Sequence, residues 1–146
     1  MILLTEDCIF CKIVKGEIPS TKLFEDENVL SFLDIMPAAK GHALVIPKKH
    51  YSTLLDMPHE ELASVIEAVQ KIASATMVAL PGVEGFNVIQ SNHEAAGQVI
   101  PHVHFHIIPR AKNDKLNFQW EHGKAEKEEL EKYAELVKKE VKRGGK

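Results

Sequence analysis

The hydrophobic positions follow different periods along the chain, and each period predicts its own kind of element. Between residues 58 and 80 apolar side chains recur at helical spacing, which predicts one long amphipathic helix. Pro58 favours its start and Pro81-Gly82 ends it. Shorter apolar runs between turn residues predict a short helix at 7–16 and five strands, at 23–25, 29–34, 42–46, 85–90 and 102–108.

Charged residues dominate the end of the chain, from residue 121 onward. An apolar stripe still runs through this segment at helical spacing, and it predicts a solvated helix that packs through one face. The stripe consists of Leu130, Tyr133, Ala134, Val137 and Val141.

The order of these elements indicates the fold class. The strands come in hairpin-like pairs, and the βαβα alternation of a dinucleotide-binding fold is missing. We therefore expect an α+β protein with an antiparallel five-stranded sheet, one long helix, a short N-terminal helix and a C-terminal helix. The expected organisation is a single domain over 1–146, with a core at about 5–110 and a charged extension at about 111–146.

Composition narrows the class of protein. The chain has 146 residues, the size of one ordinary domain, and 45% of them are hydrophobic, which excludes disorder as a whole. A net charge of −3 argues against a general nucleic-acid or anionic-membrane binder. No apolar run approaches the ~20 residues that span a bilayer, and the first residues are unlike a secretory signal. Two cysteines are too few for a disulfide framework, so we expect a soluble cytoplasmic protein.

Three histidines alternate with large apolar residues between two prolines, at His102, His104 and His106. In a strand this alternation puts the three imidazoles on one face, roughly 6.7 Å apart. Three interpretations remain open at this point. The histidines could form the polar face of an edge strand, they could bind a catalytic metal, or one of them could attack an electrophile while its neighbours bind anionic charge.

The segment around these histidines, Gly97–Arg110, resembles the signature of the histidine triad (HIT) family, in which three histidines alternate with apolar residues. Further segments are similar to the nucleotide-binding, Hint-like branch of hydrolases in that family. They are Ile9-Phe10, Gly16–Pro19, Phe24–Asp26, Phe32–Ile35 and Gly41–His50. The resemblance covers residues ~5 to 110 and implies the HIT-like fold.

The resemblance implies nucleotide hydrolysis or nucleotidyl transfer at an α-phosphorus. His104 matches the nucleophile, which forms a covalent nucleotidyl-histidine that water then hydrolyses. His106 is expected to donate to a phosphate oxygen, together with backbone N–H groups of the Gly97-Gln98 turn, and the Gln98 side chain is expected near the leaving group or the phosphate. His42 matches a fourth histidine that supports the triad through hydrogen bonds.

The same resemblance implies a purine nucleotide site. Asp34 matches the carboxylate that accepts hydrogen bonds from ribose hydroxyls. At two positions the chain departs from the family pattern, because a loop serine is replaced by Val99 and an expected asparagine falls at Ser91, where Asn92 is the candidate substitute. The base pocket is expected from Ile9, Phe10, Ile13, Phe32, Ile35 and Leu44.

The spacing of Cys8 and Cys11 has three interpretations, which are a redox motif, half of a zinc site and packed thiols. No predicted strand precedes them, which argues against the redox motif. The resemblance supplies two further zinc ligands, His50 and His102, and it implies a structural Cys₂His₂ site that tethers the N-terminal segment and orients the catalytic strand.

The leading hypothesis is a purine nucleoside phosphoramidase acting on AMP-lysine or AMP-NH₂ type substrates. Retention of the third histidine, His106, favours hydrolysis over the transferase branch. The alternatives are a dinucleoside polyphosphate hydrolase, a metal-dependent hydrolase with the three triad histidines as ligands, and a nucleotide-binding regulatory protein of low activity. Kinship also implies a homodimer, in which the segment Phe118–Trp120 contacts the partner.

Overall fold

The predicted strands form one antiparallel sheet, and three α-helices accompany it. The computed structural model describes residues 7–144; residues 1–6, which carry most of the stretch judged unlike a secretory signal, lie outside the described part. The α+β prediction is confirmed. The elements are α1 (Ile9–Lys15), β1 (Lys22–Glu25), β2 (Val29–Leu33), β3 (Ala43–Pro47), a 3₁₀ turn at Leu54–Asp56, α2 (His59–Ala79), β4 (Gly85–Gln90), a second 3₁₀ turn at Glu94–Ala96, β5 (Phe105–Arg110) and α3 (Lys127–Arg143).

The strand β5, which carries the third of the three histidines, lies inside the sheet. The strand order is β1-β2-β3-β5-β4, so β5 has a partner on each side and β1 and β4 are the edges. His106 is paired with Leu44 of β3 and with Ile89 of β4. β5 is therefore paired with a strand on each side at the position of His106.

The bounds of β5 differ from the prediction at both ends. The strand begins at Phe105 because the preceding backbone is used elsewhere: the His102 N–H donates to the Ile100 carbonyl and the Val103 N–H donates to the Tyr51 carbonyl. It also continues through Pro109 instead of ending before it. Pairing with β3 stops at Ile107, so Pro109 lies where β5 has β4 as its one partner strand, a position in which a missing N–H is tolerated.

Helices cover both faces of the sheet. On one face α2 buries a stripe of small and branched residues against the sheet, with Val65, Val69 and Ile72 packing in the same cluster as Val45 and Phe105.

On the other face α1 packs through Phe10, Cys11 and Ile13 in a cluster with Leu30, Phe32, Leu44 and Ile46. The alternation of side chains along β2 and β3 thus fills two separate cores from the same strands.

The helix α2 is long and apolar enough to cross a membrane, judged by length and composition alone, and it is the one such helix within residues 7–144. Its packing against the sheet explains this apolar composition. Six of its residues are buried, and those in the large core cluster pack with residues of β2, β3 and β5. A helix packed on a sheet needs such an apolar stripe.

Contacts divide the chain into two compact units, the first ending at Leu116 and the second beginning at Asn117. Residues 111–116 belong to the first unit, where Arg110 pairs with Asp114 (2.7 Å) and donates to the Leu116 carbonyl. The second unit contains α3. No residue of α3 is buried, and the packing of its apolar stripe stays a prediction.

Candidate active site

A cavity of about 470 Å³ opens between α1, the end of β2 and the triad. Every residue predicted for the base pocket lines it, as do Asp34, Gly97, Val99, His104 and His106. The sequence did not single out the remaining lining residues, which are Ile18, Pro19, Ser20, Leu33, Met36 and Ile100. The wall is therefore mainly apolar, with histidines and one carboxylate as its ionisable groups.

The apolar residues between the histidines point away from the cavity. Val103, Phe105 and Ile107 are buried in the core cluster formed with α2. The rings of His104 and His106 lie on the other side, with their centroids 4.9 Å apart, and Phe10 of α1 packs edge-on against His104 at 5.1 Å. The predicted division of the two faces is confirmed, although His102 and His104 precede the strand proper.

His104 is held in one tautomer by the backbone. Its Nδ1 lies 2.7 Å from the His102 carbonyl oxygen, which only accepts hydrogen bonds, so the ring proton of neutral His104 is on Nδ1. Nε2 then carries a lone pair. Burial lowers the pKa of His104, and the hydrogen bond to the His102 carbonyl offsets part of this effect. The ring is consequently neutral and nucleophilic near pH 7.

His106 has the opposite tautomer. The Ala38 N–H donates to His42 Nδ1 (3.0 Å), so the proton of neutral His42 is on Nε2, which lies 2.9 Å from His106 Nδ1. That proton is donated to His106 Nδ1, and His106 keeps its own proton on Nε2. Burial lowers the pKa of His106 to about 4, with further lowering from the neighbouring His104 and His42. His106 therefore presents an N–H while His104 presents a lone pair.

Four predicted metal ligands converge at the start of α1. His102 Nδ1 lies 3.4 Å from Cys8 Sγ, 3.6 Å from Cys11 Sγ and 3.2 Å from His50 Nδ1, and Cys11 Sγ lies 3.3 Å from His50 Nδ1. Tetrahedral zinc with bonds of about 2.3 Å to sulfur and 2.05 Å to nitrogen needs nitrogen–nitrogen separations of about 3.3 Å and sulfur–nitrogen separations of about 3.6 Å. The geometry fits zinc.

The backbone also prepares His102 as a ligand. Its Nε2 donates to the Pro47 carbonyl (2.9 Å), which leaves the Nδ1 lone pair directed at the cysteines and His50. A carbonyl partner on the second ring nitrogen is typical of metal-binding histidines. Burial lowers the pKa of His102 to about 4, so the ring is neutral and able to coordinate.

The three triad histidines do not converge on a common point. His102 faces the cysteines, His104 has its free Nε2 separate from that group, and His106 is paired with His42. Asp34, His42 and His106 also bring potential ligand atoms within 4.8 Å of one another, but the His42–His106 hydrogen bond already uses one nitrogen of each ring. This arrangement does not support a metal-dependent hydrolase with His102, His104 and His106 as joint ligands.

Gln98 and Asn92 do not line this cavity, and their contact with a nucleotide stays a prediction. The Gln98 amide donates to the Ser52 and Ile100 carbonyls and accepts the His93 N–H, so its hydrogen-bonding groups fix the loop. Asn92 accepts the Leu54 N–H and exchanges hydrogen bonds with Gln90. Both amides satisfy nearby polar groups, which a sequence pattern does not reveal.

The expected backbone donors also shift along the loop. The N–H groups of Gly97 and Gln98 donate to the carbonyls of Glu94 and His93, respectively. The next residue, Val99, lines the cavity, and within residues 7–144 no acceptor takes its N–H. Gly97 itself has a φ of +90°, a conformation that glycine adopts without strain.

Comparison with known proteins agrees with this geometry. Residues 15–113 match the model of the HIT domain. The chain belongs to the HIT family. It is 42% identical over 136 residues to the adenosine 5'-monophosphoramidase hnt1 of Schizosaccharomyces pombe, covering 92% of this chain and 98% of the other.

Solved structures show the same fold. The histidine triad nucleotide-binding protein of Candida albicans superposes with a TM-score of 0.86 at 40% identity, covering 95% of this chain and all (100%) of the other. A Zn-bound histidine triad family protein of Mycobacterium smegmatis has a TM-score of 0.73 at 35% identity, covering 95% and 98%. The predicted HIT-like fold is thereby confirmed.

The tautomers can be read directly by NMR. In long-range ¹H–¹⁵N spectra near neutral pH, we expect His104 to carry its proton on Nδ1 and His106 to carry it on Nε2, because the backbone groups at His102 and Ala38 dictate these states. The exposed ring of His59 serves as the control, since it should exchange between both tautomers. A proton on Nδ1 of His106 would contradict the hydrogen-bond relay from Ala38.

Proposed function

We propose that this protein hydrolyses purine nucleoside 5'-phosphoramidates, of the AMP-lysine or AMP-NH₂ type, through a covalent nucleotidyl-histidine on His104. One observation carries the proposal: the rings of His104, with a lone pair on Nε2, and His106, with an N–H on Nε2, lie with their centroids 4.9 Å apart and line a cavity of nucleotide size with an apolar end. The S. pombe relative is named for hydrolysis of such a substrate, which supports it.

The reaction uses each ring in the state that the backbone gives it. His104 Nε2 attacks the α-phosphorus, the Nε2–P bond forms, and the P–N bond breaks; the amine leaves with that electron pair and takes up a proton from solvent. The His104 ring becomes a cation whose Nδ1–H stays on the His102 carbonyl. Water then attacks phosphorus, the electrons of the Nε2–P bond return to His104, and the water gives up one proton as the nucleotide is released.

The remaining residues bind and orient the nucleotide. The His106 Nε2–H and the Val99 N–H donate to the non-bridging phosphate oxygens, where negative charge increases during attack. Asp34 accepts hydrogen bonds from the ribose hydroxyls, and its position is fixed because one of its oxygens accepts the Met36 N–H at 2.8 Å. The apolar walls from α1, β2 and β3 hold the base.

A dinucleoside polyphosphate is the alternative substrate within the same mechanism. It offers an equivalent α-phosphorus to His104, and the two substrates differ in the leaving group. Turnover of both classes by the same preparation separates them: the larger kcat/KM identifies the preferred leaving group. A regulatory binding protein would bind AMP but show no turnover and no adduct.

Replacing the nucleophile should separate chemistry from binding. We expect His104→Ala to lower kcat/KM by about 10³-fold or more while its affinity for AMP stays within about threefold, because the apolar walls and Asp34 are unchanged. Steady-state kinetics and calorimetry measure the two effects, and rapid-quench intact-mass analysis of the unaltered protein should show an AMP adduct on His104. His59→Ala, at an exposed histidine on α2, is the control. Near-normal turnover in the His104 variant would exclude it as the nucleophile.

We also propose that Cys8, Cys11, His50 and His102 hold a structural zinc ion. Four protein ligands are present and the group is mostly buried, so no position is left for a reacting water. Zinc supplies a rigid cross-link there when bound. The thiols must stay reduced to coordinate it, which agrees with the cytoplasmic location that we propose for the protein.

The zinc proposal predicts that removing the cysteine ligands lowers the zinc content and the thermal stability more than it lowers kcat. The Cys8→Ser/Cys11→Ser double variant should lose about one equivalent of zinc and several degrees of Tm, because metal binding contributes to folding free energy. Its kcat should fall far less than that of His104→Ala, since His104 is unchanged. Elemental analysis, thermal unfolding and kinetics provide the measurements. A native preparation without zinc, or a double variant that retains it, would remove the proposal.

We further propose a homodimer that forms through β4 and the adjoining face of α2. β4 is an edge strand that pairs with β5 on one side only, and Phe86 on it contributes to an apolar groove of about 510 Å³ with Ile66, Met77 and Val78. Exposed apolar edge strands favour association with another chain. The additional contact expected from Phe118–Trp120 stays a prediction.

The two edges of the sheet provide a matched test of the dimer. Val88 on β4 and Leu23 on β1 are each 44% exposed, so lysine at either site places a charge on an equally accessible apolar position. Val88→Lys should shift the protein to the monomer in sedimentation velocity because the charge would be buried at the interface, whereas Leu23→Lys should not. A monomeric unaltered chain, or equal behaviour of the two variants, would contradict the assignment.

A further inference from the structure

The helix α3 presents an apolar face that no other part of the described chain covers. No residue of α3 is buried within residues 7–144. Four large side chains of its apolar stripe are more than half exposed, namely Leu130 (57%), Tyr133 (56%), Val137 (61%) and Val141 (67%). A row of exposed apolar side chains along one side of a helix is typical of a surface that binds another chain.

The spacing within the stripe is that of a two-stranded coiled coil. Leu130, Ala134, Val137 and Val141 follow one another at intervals of four, three and four residues, which is the heptad pattern of a helix that pairs with one other helix. The helix has 17 residues and is therefore about 25 Å long. A second helix of the same length covers this row completely.

Charge is distributed unevenly along α3. Residues 127–135 include four acidic and two basic side chains, whereas residues 136–143 include four basic side chains and one acidic side chain. Two copies of α3 that run in the same direction place like charges side by side. Two copies that run in opposite directions place the acidic half of each helix beside the basic half of the other, so the charges favour an antiparallel second copy.

Two charged residues beside the stripe make this complementarity specific. Glu131 and Lys138 each follow a residue of the heptad row, so they lie on the same flank of it. Antiparallel pairing brings Glu131 of each copy beside Lys138 of the other. Within residues 7–144 the Lys138 ammonium has no carboxylate partner, so it is available for this contact. Both residues lie outside the first and last turns, where the helix dipole acts, so the dipole does not explain their charges.

We propose that the apolar stripe of α3 pairs antiparallel with the same stripe of a second copy of the chain, about a twofold axis between residues 135 and 136. Ala134, the smallest residue of the stripe, then lies beside the axis and opposite Val137 of the second copy, where it lets the two helices approach closely. A 17-residue helix gives a weak contact on its own, so the pairing adds to self-association of the chain. The contact is separate from the one proposed at β4 and does not rest on the proposed catalytic function.

Charge exchange beside the stripe tests the antiparallel contact. Glu131→Lys and Lys138→Glu each bring two pairs of like charges together, because the twofold axis repeats every contact. Each single variant should weaken self-association by about 3- to 10-fold at low salt. The double variant Glu131→Lys/Lys138→Glu restores opposite charges and should return the association constant to within about twofold of the unaltered chain. Sedimentation velocity over a concentration series measures the constant.

Matched variants on the outer side of α3 provide the control. Glu135→Lys and Lys139→Glu make the same changes of charge at positions that lie away from the heptad row. Each should leave the association constant within about twofold of the unaltered value. Circular dichroism shows that the helix is retained in every variant.

Amide hydrogen exchange of residues 127–143 reports on α3 alone. In the unaltered chain the protection of these amides should rise with protein concentration, because pairing stabilises a helix that is otherwise unburied. Val137→Asp should abolish the rise, since it places a carboxylate within the row. Leu136→Asp should preserve it, because Leu136 has a similar exposure (56%) but points to the outer side.

Several results would overturn the pairing. Equal effects of the charge exchanges at 131 and 138 and of those at 135 and 139 would remove the assigned face, and a double variant as weak as the single variants would remove the contact between Glu131 and Lys138. Stronger association of Glu131→Lys would show parallel helices, because it removes like charge between copies. Protection that does not change with concentration would exclude the contact altogether. The kcat of the variants should equal that of the unaltered chain, so a failure of the proposed catalytic function is a separate result.

Discussion

The arrangement of the site depends on His102, a fully buried residue whose two ring nitrogens and carbonyl make polar contacts in different directions. Its Nε2–H donates to Pro47 at the end of β3, its Nδ1 faces the cysteines and His50, and its carbonyl accepts the Nδ1–H of His104. The ring connects α1 to the sheet and the backbone orients the ring of His104. A displacement of His102 would therefore move both the proposed metal ligands and the proposed nucleophile, because the same residue contacts both.

The apolar residues between the histidines make this precision possible. Val103, Phe105 and Ile107 are buried against α2, so the strand cannot rotate or slip without exposing them. The packing energy of one face thus holds the imidazoles of the other face in position. Burial on the histidine side keeps the rings neutral, and a neutral ring is what the lone pair of His104 requires.

The sequence revealed the features that depend on local periodicity. The apolar repeat of α2 and the alternation at 102–107 both predicted the correct face of the correct element, and the resemblance placed the cavity wall. The features that it did not reveal depend on long-range hydrogen bonds. Tyr51 takes the N–H of Val103 and delays the start of β5, and Ser52 takes the amide of Gln98 away from the cavity.

The apolar stripe of α3 also shows that spacing along the sequence does not reveal long-range contacts. Its spacing correctly predicted a helix, which the structure places at Lys127–Arg143. Spacing specifies which residues share a face and carries no information about what that face contacts.

Four histidines of the same chemical type present their ring nitrogens in different states here, and the backbone sets those states. A carbonyl at Nε2 leaves the Nδ1 lone pair of His102 for the proposed coordination, and a carbonyl at Nδ1 leaves the Nε2 lone pair of His104 for the proposed attack. The Ala38 amide at Nδ1 makes His42 a donor, which in turn leaves His106 with a proton for the cavity. The motif supplies the rings, but the position of one acceptor or donor beside each ring decides between coordination, attack and donation. Any change that inverted one of these backbone groups would change the chemistry without altering a single histidine.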